Sequence, residues 1–192
     1  MGLFSKLFKK NTSVEVTPEA FNTSNPECLR LFELKKYMDI LLSQNQYIPK
    51  SKYRSKLLEE KKTIEYFAVL DNSGMLKSFC ESKKIDMSAV ESTLNCCRNF
   101  EEIVDAHNEE YIQGAMKTEK TFLDNILRDV DPKIKLDDDQ RRVILTDEDY
   151  CLVIAGAGAG KTTTVAAKVK YLVEKKNIDP SQILVVSFTN KA

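Results

Sequence analysis

The sequence contains no tryptophan, a single histidine (His107), and only six glycines and five prolines in 192 residues. One histidine, with five cysteines that never fall in C-x-x-C spacing, speaks against a Cys/His zinc cage. The cysteines, Cys28, Cys80, Cys96, Cys97 and Cys151, are odd in number and read as reduced thiols rather than a disulfide framework. No apolar run approaches the roughly 18 residues of a membrane span, so no stable membrane partner is expected. An excess of charge is also missing, because 29 basic residues balance 29 acidic ones. Global electrostatics therefore selects neither nucleic acid nor an acidic surface, and any nucleic-acid contact would have to be local. What is present, 42% hydrophobic and 30% charged residues, is the composition of a globular, helix-rich chain.

The chain begins with an N-terminal segment and linker over residues 1–25, of which 10–25 are polar and turn-rich. Within it Leu3, Phe4, Leu7 and Phe8 share a helical face beside Lys6, Lys9 and Lys10. That face suits either a short amphipathic membrane foot or a frayed terminus. The segment lacks the apolar core of a signal peptide, and Lys6 stands where the myristoylation pattern requires Ser or Thr. A helical region is expected over 26–132. Asn25-Pro26 reads as an N-cap followed by proline at the first helical position, opening a helix over 26–44 that buries Leu31, Leu34, Met38 and Leu41. A second helix is predicted over 51–70 and a short one over 75–83, with a turn at Asp71-Asn72-Ser73-Gly74 between them. Val90, Leu94, Cys97, Val104, Tyr111, Ala115 and Phe122 then recur at three- and four-residue spacing. They predict one long helix over about 88–129, packed on its neighbours or self-associated as a coiled coil, although Glu101, Asn108 and Thr118 interrupt the stripe.

After Asp131-Pro132 the texture changes to strand, loop, helix and strand, so an α/β domain is expected over 133–192. Cys151, Leu152, Val153 and Ile154 form an apolar run of strand type. It leads directly into Ala155, Gly156, Ala157, Gly158, Ala159, Gly160, Lys161 and Thr162. This is a Walker A loop with alanine at the first glycine position. Small residues let the backbone wrap a phosphate with its N–H groups turned inward. The helix opened by Gly160 favours the anion through its dipole. Lys161 can reach the β- and γ-phosphates, the hydroxyl of Thr162 is placed to ligate Mg²⁺, and Thr163 continues the first turn. Asn177 reads as a left-handed cap, and Ile183, Leu184, Val185 and Val186 as a second buried strand, parallel to the first. The fold class expected is thus α/β: a helical N-terminal region, then the first βαβ unit of a P-loop (RecA-like) domain.

Three blocks in order carry a family resemblance. They are Leu136-Asp137-Asp138-Asp139-Gln140-Arg141-Arg142, the loop at 155–162, and Val186-Ser187-Phe188-Thr189-Asn190-Lys191-Ala192. Residues 136–192 resemble superfamily 1 DNA helicases of the UvrD/Rep kind, most closely the helicase IV-like branch, at the Q motif, motif I and motif Ia. The resemblance implies an ATP-dependent DNA helicase, a cytoplasmic hydrolase with ATP and Mg²⁺ as cofactors and single-stranded or partly duplex DNA as partner. It implies that Gln140 hydrogen-bonds the adenine edge, where an amide offers donor and acceptor together. It further implies that Phe188, Thr189 and Asn190 contact single-stranded DNA. Asp137, Asp138 and Asp139 fit a helix cap better than a ligand contact. The sequence stops within motif Ia, before any Walker B carboxylate, arginine finger or second lobe. The expectation is therefore a piece of a longer motor that binds nucleotide at most. Two other readings stay open: a non-catalytic nucleotide- or partner-binding protein, and a P-loop ATPase that does not act on DNA.

Overall fold

Asn25 shows how local chemistry starts this fold. Its Oδ1 accepts the backbone N–H groups of Glu27 and Cys28 at 3.1 and 3.2 Å, capping helix α1 (Pro26–Ser43), with proline in the first turn as expected. The computed structural model describes residues 24–186, so the amphipathic start and motif Ia residues Phe188, Thr189 and Asn190 lie outside the described residues. The chain divides into two compact units, Met1–His107 and Asn108–Ala192.

In the first unit α1 is followed by α2 (Ser51–Glu59), α3 (Lys61–Asn72), α4 (Leu76–Lys83) and α5 (Met87–Arg98); α6 (Phe100–Thr118) carries the division point. The helix expected over 51–70 is broken at Glu60 (φ −91°, ψ 10°). The break lets the two halves serve different cores. Tyr53 packs with Leu34, Met38, Ile48 and Phe100, whereas Phe67 packs with Cys28, Leu31, Leu76 and Val90. Tyr53 and Phe100 meet edge-on at 5.4 Å, a favourable aromatic geometry. Gly74 turns the chain with φ +71° between α3 and α4, as the turn signal required. Lys35 is buried on α1, but its ammonium lies 2.5 and 2.6 Å from the two oxygens of Asp39, so the buried charge is paired.

The single long helix expected over 88–129 is three helices, α5, α6 and α7 (Lys120–Asn125), broken at Asn99 (φ −108°, ψ 12°) and Glu119 (φ −92°, ψ 6°). The coiled-coil alternative loses its basis with it. Val90 and Leu94 are buried against α1 and α3 neighbours, Val104 belongs to the Tyr53 cluster, and Ala115 packs with Leu123 and Leu136. One apparent stripe is thus divided among three separate cores.

In the second unit Ala115, Leu123, Ile126 and Leu127 share a core with Leu136, with Ile144 and Leu145 of α8 (Asp138–Leu145), and with Ala167 and Tyr171 of α9 (Lys161–Glu174). Helical residues upstream of Asp131 therefore pack with the segment where the sequence texture changes. Asn177 adopts φ +54° just beyond α9, the left-handed conformation its type predicts.

The expected βαβ unit is not formed, and among the described residues there is no strand. Residues 151–154 and 183–186 run as unpaired segments on either side of α9. Leu152 (85% exposed), Ile154 (89%), Leu184 (87%) and Val186 (80%) face solvent. An apolar run becomes a strand only when a neighbour supplies ladder hydrogen bonds and something covers its face. Neither is supplied by the described residues. Amide hydrogen exchange read by mass spectrometry should therefore be fast across 151–154 and 183–186 and slow across the buried parts of α1 and α5. Equal protection in all four places would contradict this description.

Candidate functional site

The site is assembled from two helices and the loop between them. Asp137 opens α8 through a reciprocal capping box. Its Oδ1 accepts the Gln140 N–H at 2.8 Å, while the Asp137 N–H donates to Gln140 Oε1 at 3.0 Å. Asp137 is thus a cap, as expected of this acidic run. The first turn also carries Asp138 and Asp139, which complement the helix dipole.

Two consecutive arginines fix the other sides of α8. Arg141 donates through Nε to the Leu136 carbonyl at 3.0 Å and through Nη2 to Asp124 at 2.6 Å. Arg142 forks onto Glu109, Nη1 to Oε1 at 3.0 Å and Nη2 to Oε2 at 2.5 Å. The Arg142 guanidinium, with Gln113 beside it, holds the Glu109 carboxyl below its ordinary range.

The loop is built by backbone geometry. Gly158 (φ +76°) and Gly160 (φ +74°) sit in the left-handed region, and Ala159 N–H turns back toward the Gly156 carbonyl at 3.4 Å. Gly156, Ala157, Gly158 and Ala159 are exposed. A Cβ at Gly160 would stand 2.6 Å from Gln140 Nε2, so this position needs glycine for conformation, and any larger residue would displace the Gln140 amide. The first turn of α9 receives no side-chain cap, which leaves the positive end of its dipole at the loop. Thr164 instead closes the turn from below, its N–H and Oγ1 both donating to the Gly160 carbonyl at 2.8 and 3.0 Å.

Lys161 folds over the loop, its ammonium donating to the carbonyls of Ala155 (3.0 Å) and Gly156 (2.7 Å). Thr162 is exposed beside it, and Thr163 is half-buried. Gln140, nineteen positions upstream of the loop carbonyl it reaches, donates from Nε2 to the Ala159 oxygen at 3.2 Å. The structure therefore brings Gln140, the loop at 155–160 and Lys161 together. Its amide keeps a second N–H and a second lone pair for another partner.

One inward-facing side-chain contact was not legible beforehand. Lys168 lies on the inward side of α9 with Thr164, Ala167 and Tyr171, and donates to the carbonyls of Ile144 (2.8 Å) and Thr146 (2.5 Å) at the end of α8. Burial pushes its ammonium below the ordinary lysine value, with Asp147 opposing the effect. The signal in the sequence was a lone cation at helical spacing among otherwise uncharged inward positions. No helix of the described residues is long and apolar enough to cross a membrane, and no cluster of metal-ligating side chains occurs among them.

Comparison with known proteins matches residues 136–192 to the UvrD/REP helicase N-terminal domain. A Mycoplasma capricolum protein named "Probable DNA helicase II homolog" is 53% identical over 57 residues, 30% of this chain and 8% of that one. The ATP-dependent DNA helicase UvrD1 of Mycobacterium leprae is 42% identical over 57 residues, 30% of this chain and 7% of its own. The ATP-dependent DNA helicase PcrA of Staphylococcus epidermidis is 39% identical over 57 residues, again 30% of this chain and 8% of its own. The chain thus spans less than a tenth of the length of these relatives in the matched region. No solved structure matches it.

Proposed function

We propose that residues 136–192, the opening of a UvrD-type helicase domain, bind Mg-ATP and contribute to a motor that couples ATP hydrolysis to DNA unwinding. One observation supports this above others. Gln140 and Lys161, far apart in sequence, both converge on the carbonyls of one glycine-rich loop at a helix start. A structural turn with no ligand gives no reason for a cation and an amide to meet there.

The residues fit the ligand. The loop offers exposed backbone at 156–159, and its positive-φ glycines allow close approach to phosphate. Lys161 would exchange its two loop carbonyls for β- and γ-phosphate oxygens, its flexible stem carrying the charge over a short arc. The Thr162 hydroxyl would hold Mg²⁺, which supplies charge neutralisation along the phosphates. Thr163 would lend its N–H to the first turn. Gln140 would read the adenine edge. Phe188, Thr189 and Asn190 would meet single-stranded DNA, the ring by stacking and the polar groups at the backbone. The cytoplasm is the compartment in which this reading sets the protein.

Isothermal titration of the 192-residue chain with Mg-ATP tests the nucleotide half of this proposal. Saturable binding that inorganic tripolyphosphate competes away is the expected result. Heat no greater than dilution, at nucleotide concentrations in the millimolar range characteristic of weak sites, would defeat it.

A further inference from the structure

The geometry points to Lys168 as a positioning residue: by tying the last carbonyls of α8 to α9, it holds the Gln140 amide over the loop and so determines which base the site accepts. The inference rests on the nucleotide reading above and adds to it a residue outside every motif. Helix α8 has only eight residues, Asp138–Leu145, and it is fastened to the loop-and-α9 segment at both ends. At its start Gln140 Nε2 reaches the Ala159 oxygen at 3.2 Å. At its end Lys168 Nζ reaches the oxygens of Ile144 and Thr146 at 2.8 and 2.5 Å. The final carbonyls of a helix have no partner of their own and carry the negative end of its dipole. A shielded ammonium shared between two acceptors there is a charge-assisted contact with fixed direction.

The alternatives for holding α8 in place are weaker. Arg141 and Arg142 fix α8 to Asp124, Leu136 and Glu109, carboxylates 37% and 44% exposed among them, but none of these contacts ties α8 to the loop or to α9. Ile144 and Leu145 pack in the core, but apolar contacts lack direction and tolerate a small rotation of the helix. Even a small rotation about the α8 axis carries the Gln140 side chain sideways and lengthens its 3.2 Å contact with Ala159. Hydrogen bonds from Lys168 resist that motion because they weaken steeply when bent.

Base choice follows from the amide. Adenine presents an N6–H donor beside the N7 acceptor, matching a glutamine's oxygen and nitrogen. Guanine presents O6 and N7, both acceptors, and meets the amide oxygen with repulsion. A displaced amide would lose this distinction, while the loop and Lys161 would still grip the phosphates.

The test measures affinities of the full chain for Mg-ATP, Mg-GTP and tripolyphosphate by displacement of a fluorescent nucleotide. Lys168→Met should keep tripolyphosphate affinity within about twofold while the ATP-over-GTP preference falls about five- to tenfold, the scale of one well-placed hydrogen bond. Lys168→Arg, which restores donor and charge, should recover most of the preference. If Lys168→Met lacks the helical signal of wild type, Lys168→Gln, a polar side chain too short to reach the Ile144 and Thr146 carbonyls, is read in its place with the same expectation. An unchanged ATP-to-GTP ratio in the folded variant overturns the proposal. So does an equal loss for ATP and tripolyphosphate, which is what general destabilisation would produce. Wild type that fails to bind Mg-ATP overturns the nucleotide reading and this inference with it. Selective wild type beside an equally selective variant overturns this inference alone.

Discussion

Lys161→Ala is expected to abolish stabilisation by Mg-ATP while leaving the unliganded protein almost unchanged. The separation follows from where the ammonium sits. In the structure it donates to two carbonyls of an exposed loop, Ala155 and Gly156. Water can replace it at both, so its removal without ligand should cost no more than about 0.5 kcal/mol, as for other surface substitutions. On the nucleotide reading proposed above, the same ammonium would face phosphate oxygens once the ligand is bound. At a nucleotide concentration one hundred times the dissociation constant, wild type gains about 2.7 kcal/mol from binding. The variant should gain nothing measurable at that concentration. Thermal unfolding with and without Mg-ATP reads both quantities. Equal ligand-induced shifts in the two proteins would remove Lys161 from the site.

Gly160→Ala is expected to damage the second unit itself. Alanine at φ +74° costs about 1–2 kcal/mol in backbone strain. The new Cβ also stands 2.6 Å from Gln140 Nε2, so the amide must leave the Ala159 carbonyl, a further loss of about 1 kcal/mol. The sum, about 2–3 kcal/mol, should lower the midpoint of that unit's transition by more than about 8 °C, given the steep response of small domains. Gly158→Ala separates the two causes. Gly158 has a similar φ of +76°, but a Cβ there meets nothing within 4 Å, so only the strain remains. A Gly160→Ala effect no larger than that of Gly158→Ala would mean that Gln140 does not constrain the loop.

The parts of this molecule legible in its sequence are those settled within a few residues. Asn25 before Pro26, Asp137 before α8, Gly74 in its turn and the left-handed Asn177 all behave as their side chains dictate, because caps and turns are short-range events. The loop at 155–160 was visible for the same reason. Breaks at Glu60, Asn99 and Glu119 were not, because none of these residues opposes helix strongly and each break follows from which core its neighbours join. The strands expected at 151–154 and 183–186 illustrate the opposite error. Their composition is that of buried β structure, but strand formation depends on a neighbour that local composition cannot supply. Lys168 went unnoticed because lysine on a helix is ordinarily a solvated side chain, and its carbonyl partners lie more than twenty positions upstream.

The capping box at Asp137 and Gln140 has a spectroscopic consequence. The Asp137 amide proton bonds to the same carboxamide whose nitrogen reaches the loop. Any molecule that draws the Gln140 oxygen toward itself lengthens that bond, and an amide proton resonance moves with the length of its hydrogen bond. The protein thus carries an intrinsic probe, one backbone proton at the start of α8 that reports on the glutamine without any label placed near it. Its resonance would move with a ligand that engages the carboxamide and stay still with one that engages the loop alone.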